Sequence, residues 1–421
     1  MHIVFIGTKP DIIKQAPIYK ELKRRGELVL LCHTGQHYDF RNSKAILDEL
    51  EMKVDLNFKV KGTLAEKIGQ IINQTSLLIS GLRKSGKIII PYVHGDTLTA
   101  CGVAMGAILE RVAPVHVEAE LRTMTPKEKI YKKHLASYCA GKFNYETYRK
   151  DLRKLENFEI GSFEPFPEQI DTRIIDEVAA IRLAPNKLNS QLLEKERGVA
   201  SGIAVVGNTI SDAVQTALNK PFCDPRIAKM EFEGRIFFTI HRRETCEDAK
   251  RFKIILEVLE RILKQRKVLL IAHPMFLNGT RLHEKDFVRI RREYHENLRI
   301  LKPIPYHTDT IKVISRCEAV VTDSGGVQEE ANILGKTCIT LRYGTDRVES
   351  VVSGNNILAP LVDSGFIFDI VNGALTVVEK NDQALYGKDV AKQIVDYVLS
   401  HIDNETGLFR TEEQRLQLLC Q

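Results

Sequence analysis

The chain has 421 residues, 43% hydrophobic and 28% charged, with 26 Gly, 14 Pro and no Trp. That apolar share excludes a largely disordered chain, and the length suits two or three domains of ~100–200 residues. Lys and Arg number 61 against 55 Asp and Glu, a balance of +6 that mildly favours anionic partners such as phosphates.

The predicted elements begin with short apolar runs: HIVFI (2–6), LVLLC (28–32), KIIIPYV (87–93) and APVHV (113–117). Each is rich in Val or Ile on consecutive positions, as parallel strands buried on both faces require. Between them, 11–25 and 63–84 carry apolar residues at helical spacing. From 122 to 165 the rhythm breaks into charged and aromatic sequence without a strand-like run. We expect a helical insertion over 124–164, carried by the first domain. The strand rhythm resumes with RIFFTI (235–240), KVLLIA (267–272), LRIL (298–301), AVVTD (319–323) and TCITL (337–341), with helices such as 249–264 and 309–316 between them. Two βα series of this kind predict an α/β fold of two doubly wound, Rossmann-like domains facing a cleft. The expected boundaries are 1–206 with its insertion and a returning C-terminal helix within 390–421, and 207–389 for the second domain.

Several classes are excluded by what the sequence does not contain. Basic residues alternate with acidic ones, as in KELKRRGE, so they read as solvated helix faces, and no nucleic-acid module accompanies them. No run approaches the ~18 apolar residues of a membrane span, and the first apolar run is too short for a secretory signal. We therefore expect a cytoplasmic protein that engages neither nucleic acid nor membrane. Eight cysteines without a C-x-x-C pair suggest free thiols in a reducing compartment. Gly81–Lys87 nearly matches a phosphate-binding loop, but it closes a helix instead of opening one, and Ile88 stands where a hydroxyl is needed. The H-x-E at 116–118 lacks the P-C-x-x-C of zinc deaminases. There is no D-x-D, so no metal site and no cofactor are expected.

What remains is polar sequence at strand ends, where doubly wound sheets bind ligands. Gly7-Thr8-Lys9-Pro10 offers free backbone N–H groups to an anion, or is a plain turn. His94-Gly95-Asp96-Thr97 follows the third predicted strand, and its Asp also suits a helix cap. Glu118, Glu120 and Arg122 leave a buried strand and need partners or a ligand. Glu168 and Arg173 follow Pro167, where an exposed helix start is the plainer reading. In the second half, His241-Arg242-Arg243-Glu244 suits a diphosphate or a proton-transfer site. Thr322-Asp323-Ser324-Gly325-Gly326 opens a helix on paired glycines, which let a phosphate approach the backbone, and Glu330 is placed one turn on to accept ribose hydroxyls. This is the most specific signal in the chain.

Assembled in order, GTKPDIIKQAP (7–17), TGQHYD (34–39), VHGDT (93–97), HVEAELRT (116–123), PFPEQIDTR (165–173), GNTISDAV (207–214), FTIHRRE (238–244), TDSGGVQEEA (322–331) and LRYGTDRVE (341–349) resemble the non-hydrolysing UDP-N-acetylglucosamine 2-epimerases. The insertion looks like one found in archaeal relatives. The resemblance implies the two-domain fold of type B glycosyltransferases, a UDP-sugar substrate, a homodimer, and inversion at sugar carbon 2 by elimination and re-addition of UDP. It implies catalytic roles for Asp96, Glu118, Glu168 and His241. It implies substrate binding by Lys9, Arg173, Arg242, Ser324, Gly325, Gly326, Glu330 and Arg347. The chain departs from the family pattern at Lys9, Glu120, Thr172 and Tyr38, and Tyr38 puts a regulatory UDP-sugar site in doubt. Two further readings stay open: a hydrolysing epimerase or a glycosyltransferase of the same fold, either of which would release UDP. A non-catalytic UDP-sugar sensor is the alternative outside enzymes.

Overall fold

The computed structural model describes residues 1–36, 40–162, 164–198, 202–377 and 384–402. Tyr38 and the last part of the expected C-terminal helix lie outside these residues. The chain forms two units: Met1–Leu121, Phe163–Gln215 and Tyr386–Gln421 in the first, Arg122–Ser162 and Thr216–Leu385 in the second.

The first unit is built on a seven-stranded sheet. Its spatial order is Leu56–Asn57, Val29–His33, His2–Ile6, Ile90–His94, Val115–Val117, Ile181–Ala184 and Ile203–Val205. Every pairing is parallel. The strand HIVFI is buried at all five positions, as its uninterrupted apolar run requires. Ile3, Phe5, Val93, Val103 and Ile175 share one core cluster, which packs the helices Leu98–Leu109 and Glu168–Val178 on the sheet. The helix Val390–Ser400 belongs to this unit. Asp212 accepts from the Val390 and Ala391 N–H groups at its start, and Arg25 pairs with Asp396 at 2.6 Å.

The second unit carries six parallel strands in the order Leu298–Leu301, Lys267–Ile271, Arg235–Thr239, Ala319–Thr322, Cys338–Thr340 and Asn356–Leu358. Phe237, Leu269, Val320 and Cys338 lie in its core. In both sheets the first strand of the series sits inside, and the chain runs outward to one side and then to the other. The order reverses between His2–Ile6 and Ile90–His94, and again between Arg235–Thr239 and Ala319–Thr322. Such reversal points open crevices at the strands' carboxyl ends, the usual ligand position of this architecture.

The segment 124–164 was expected on the first domain, but the structure puts nearly all of it on the second unit. It contains a short antiparallel strand pair, Met124–Pro126 with Phe158–Ile160, and between these strands the helices Glu128–Cys139 and Tyr145–Leu152. Met124 exchanges backbone hydrogen bonds with Thr345. The Tyr131 and Tyr148 hydroxyls donate to the carbonyls of Tyr343 and Leu358. Tyr148 is fully buried against Phe143 and Phe366. The aromatic residues that make the segment look unlike a strand are what anchor it.

Candidate active site

The first unit's reversal point gathers carboxyl groups. Thr8 caps the helix Lys9–Arg24 through a capping box: its hydroxyl accepts from the Asp11 N–H, and Asp11 accepts from the Thr8 N–H at 3.1 Å. Lys9 is half-buried at that helix start. Asp11 is buried, and burial raises its carboxyl to about 7, with Asp96 contributing further against the Thr8 hydrogen bonds.

Asp96 sits in the turn after Ile90–His94, just ahead of the Thr97 cap of helix Leu98–Leu109. Gly95 makes this turn possible. Its φ is +61°, and a Cβ there would stand 3.5 Å from Glu118 Oε2. Glu118 itself is left-handed at φ +61°, as is Glu120 at +65°. Such a conformation costs a non-glycine residue about 1–2 kcal/mol. Three bonds hold the segment there: Ala119 N–H to the Leu183 carbonyl, Asn189 to the Glu120 carbonyl and Gln169 to the Leu121 carbonyl.

The Glu118 carboxylate is buried and closely held. Lys14 Nζ lies 2.7 and 2.8 Å from its two oxygens, His94 Nε2 3.0 Å from Oε2 and Asn208 Nδ2 3.1 Å from Oε1. His116, fully buried, faces two acceptors: Asp176 Oδ1 at 2.7 Å and the Gly95 carbonyl at 2.8 Å. The ring thereby ties the Gly95–Asp96 turn to the helix Glu168–Val178.

Glu168 opens that helix, and its Oε2 is buried without a hydrogen-bond partner. Asp171 follows at i+3 on the same face, 5% exposed. Burial raises its carboxyl to about 7, a Cys101 hydrogen bond opposes the rise, and Glu168 and Asp96 add to it. Asp96, Glu168 and Asp171 are thus electrostatic neighbours, and Glu118 Oε2 lies against the Gly95 turn that carries Asp96. Arg173 is not drawn into this group; it donates to the Gln169 carbonyl one turn back.

The second unit's reversal point gathers arginines and buried acids. Asp323, fully buried, accepts from the N–H groups of His241 and Arg242 at 3.0 and 2.9 Å. Burial pushes the Asp323 carboxyl up, but the His241 ring at 3.3 Å and these N–H groups hold it below the usual range. This fixes the chain after Arg235–Thr239 and leaves the His241 side chain 36% exposed. Asp346, also buried, is held well below the usual carboxylate range by Arg347, Arg342 and Arg242, which outweigh burial. Arg347 is closed in by Glu329 as well.

Ser324 caps the helix Gly325–Ile333. A Cβ on Gly326 would meet no atom within 4 Å, so neither packing nor φ demands that glycine. Open space over a helix start beside Arg242 suits an anion. Glu330 pairs with His307 at 3.0 Å and is 8% exposed.

Sequence reading singled out Asp96, Glu118, Glu168, His241 and the Ser324 turn, but not Lys14, Asp11, Asp171, His116 or Asn208. All five stand inside quoted blocks, GTKPDIIKQAP, HVEAELRT, PFPEQIDTR and GNTISDAV, yet only burial and long-range pairing reveal their part. Among the described residues no cluster of His, Cys, Asp or Glu has the form of a metal site, and no helix is long and apolar enough to cross a membrane.

The family model described as UDP-N-acetylglucosamine 2-epimerase matches residues 20–139 and 159–399. The chain belongs to this family. The stretch the match skips, 140–158, falls within the helical segment docked on the second unit. Among relatives, the UDP-N-acetylglucosamine 2-epimerase of Methanocaldococcus jannaschii is 28% identical over 373 residues, covering 84% of this chain and 87% of that protein. The enzyme of the same name from Bacillus subtilis is 28% identical over 409 residues, 94% of each. A crystal structure of the Methanocaldococcus jannaschii enzyme in complex with UDP-GlcNAc and UDP superposes with a TM-score of 0.76 at 25% identity. It covers 95% of this chain and all of that one. This epimerase family member therefore has the family's two Rossmann-like domains.

Proposed function

We propose that the chain interconverts UDP-N-acetylglucosamine and UDP-N-acetylmannosamine, a step that supplies precursors for surface polysaccharide or glycan synthesis. The proton on sugar carbon 2 is not acidic, so simple deprotonation and return does not serve. Anti elimination does: a base takes the carbon-2 proton, the bond from carbon 1 to the diphosphate oxygen breaks, and UDP leaves behind a glycal. Protonation of the opposite face of carbon 2 and return of UDP to carbon 1 complete the inversion. The chemistry needs an acid, a base and a held leaving group.

The observation that carries this reading is the carboxyl group cluster at the first reversal point. Two of its members, Asp11 and Asp171, are raised to about 7, so protonated and ionised carboxyls coexist at neutral pH. In this account Asp96, Glu118 and Glu168 handle protons at carbon 2. Glu118 is ion-paired with Lys14. The second unit supplies the leaving-group site: Ser324, Gly325 and Gly326 at the helix start, with His241 and Arg242, hold the diphosphate. Glu330 accepts from the ribose, and Arg347 keeps Asp346 and its arginines in place beside the phosphates. Lys9 and Arg173 add positive charge on the first unit for the substrate. We further propose that the chain acts as a homodimer in the cytoplasm.

Incubation with UDP-N-acetylglucosamine, followed by product identification, tests the reading. Accumulation of UDP-N-acetylmannosamine to equilibrium supports it; stoichiometric UDP and free N-acetylmannosamine would instead identify a hydrolysing enzyme.

A further inference from the structure

Asp171 is a member of the carboxyl cluster, but it is not among the residues proposed above to handle protons at carbon 2 or to bind substrate. It lies one turn into the helix that Glu168 opens, on the same face and deeper: Glu168 is half-buried, Asp171 buried. Asp171 Oδ2 and Glu168 Oε2 are both buried and without hydrogen-bond partners. The groups facing Asp171 are Glu168 on its own helix, Cys101 from the helix Leu98–Leu109, and Asp96 from the turn before that helix. Two are acids and one is a neutral thiol, itself raised to about 12 by burial first and by Asp171 second. None of these partners is a cation. Burying two adjacent carboxylates without a countercharge is costly, and the deeper member is the one that takes the proton. The helix start, meanwhile, favours a negative charge on its first residue.

We propose that Asp171 is a positioning residue for the reaction, a neutral carboxyl beside Glu168 that leaves Glu168 the charged member of the pair. The proposal rests on the epimerase reading for its kinetic consequence, but not for its protonation state. Asp171 keeps a proton, donates no atom to the product, and acts by setting the charge on Glu168. When Asp171 ionises, the added charge raises the proton affinity of Glu168 and Asp96 and removes the division between acid and base.

Two measurements on the full chain decide it. The first is a carbon-13 titration of the side-chain carboxyls in wild type and in Asp171→Asn. We expect one Asp carboxyl that titrates near neutral pH and is missing from the variant. A missing resonance that titrates in the ordinary carboxylate range overturns the proposal. If Asp171→Asn does not fold, Asp171→Glu serves: the near-neutral titration then moves from the Asp to the Glu carboxyl signals, and its failure to move is equally fatal. The second is the pH dependence of turnover. Asp11 titrates in the same range and faces Asp96, so the profile is taken in the Asp11→Asn background. There we expect turnover to fall as pH rises past about 7, and Asp171→Asn to abolish that fall. A fall that persists overturns the proposal. A loss of about 10²–10⁴ at every pH also overturns it, because Asp171 would then be the proton-transferring group itself. A wild-type chain that does not epimerise would defeat the functional reading, while the carbon-13 titration would still judge Asp171.

Discussion

Lys14 Nζ reaches both carboxylate oxygens of Glu118, at 2.7 and 2.8 Å, across 104 residues of sequence. Both side chains are nearly inaccessible to solvent. Removing one partner of such a pair leaves a buried charge and costs about 3–5 kcal/mol. Glu118→Gln should therefore lower the thermal midpoint as well as turnover, the latter by about 10²–10⁴ if Glu118 moves protons. UDP affinity should be unchanged, because the residues proposed to hold UDP belong to the other unit. Calorimetry with UDP beside a thermal melt separates these effects; turnover that survives would make Glu118 a purely structural acid.

The Asp11 carboxyl, raised to about 7 in the fold, gives a stability change of definite sign. An unfolded Asp releases its proton near ~3.9, whereas the folded one keeps it until about 7. Between these values the native state binds more protons, so stability falls as pH rises through the window and stays lower above it. Asp11→Asn removes the term and keeps an acceptor for the Thr8 N–H. Urea melts at about pH 5 and 8 should show the variant losing less stability between them, by on the order of 1–3 kcal/mol. An unchanged difference would mean that Asp11 is ionised in the fold.

Much of this fold was legible in the sequence, for a physical reason. Strands buried on both faces must be apolar at consecutive positions, so HIVFI, RIFFTI and KVLLIA announce themselves. Polar residues directly after such strands then fall at the ligand-binding ends. The very short strands Leu56–Asn57 and Ile181–Ala184 carry no comparable run. The place of 124–164 was not legible either, because its Tyr and Phe residues specify burial but not against which unit. Nor could the raised acids be read: Asp11 and Asp171 look like ordinary helix-start residues until their surroundings are known.

Gly326 offers a test that separates binding from folding. A Cβ at this position would meet no atom within 4 Å, and replacing a helical Gly gains up to ~1 kcal/mol of helix stability. Gly326→Leu should therefore melt at the same temperature or higher, yet bind UDP at least ~10-fold more weakly, a loss of ~1.4 kcal/mol. Unaltered UDP affinity in a stable variant would place the diphosphate elsewhere.

The docking of the helical segment on the second unit predicts a large cost for Tyr148→Ala, about 3–5 kcal/mol for an emptied aromatic site. Tyr148→Phe should lose only the hydrogen bond to the Leu358 carbonyl, about 1 kcal/mol. Denaturant melts of the two variants check the ratio. Equal, small effects would mean that Tyr148 is not packed as described.

The most direct test of the central claim is proton NMR of the wild-type chain with UDP-N-acetylglucosamine in deuterated water. Elimination and re-addition predict solvent deuterium at carbon 2 of UDP-N-acetylmannosamine, growing in with the product while no free UDP accumulates. Product that keeps its carbon-2 proton, or UDP rising in step with free sugar, would contradict the account.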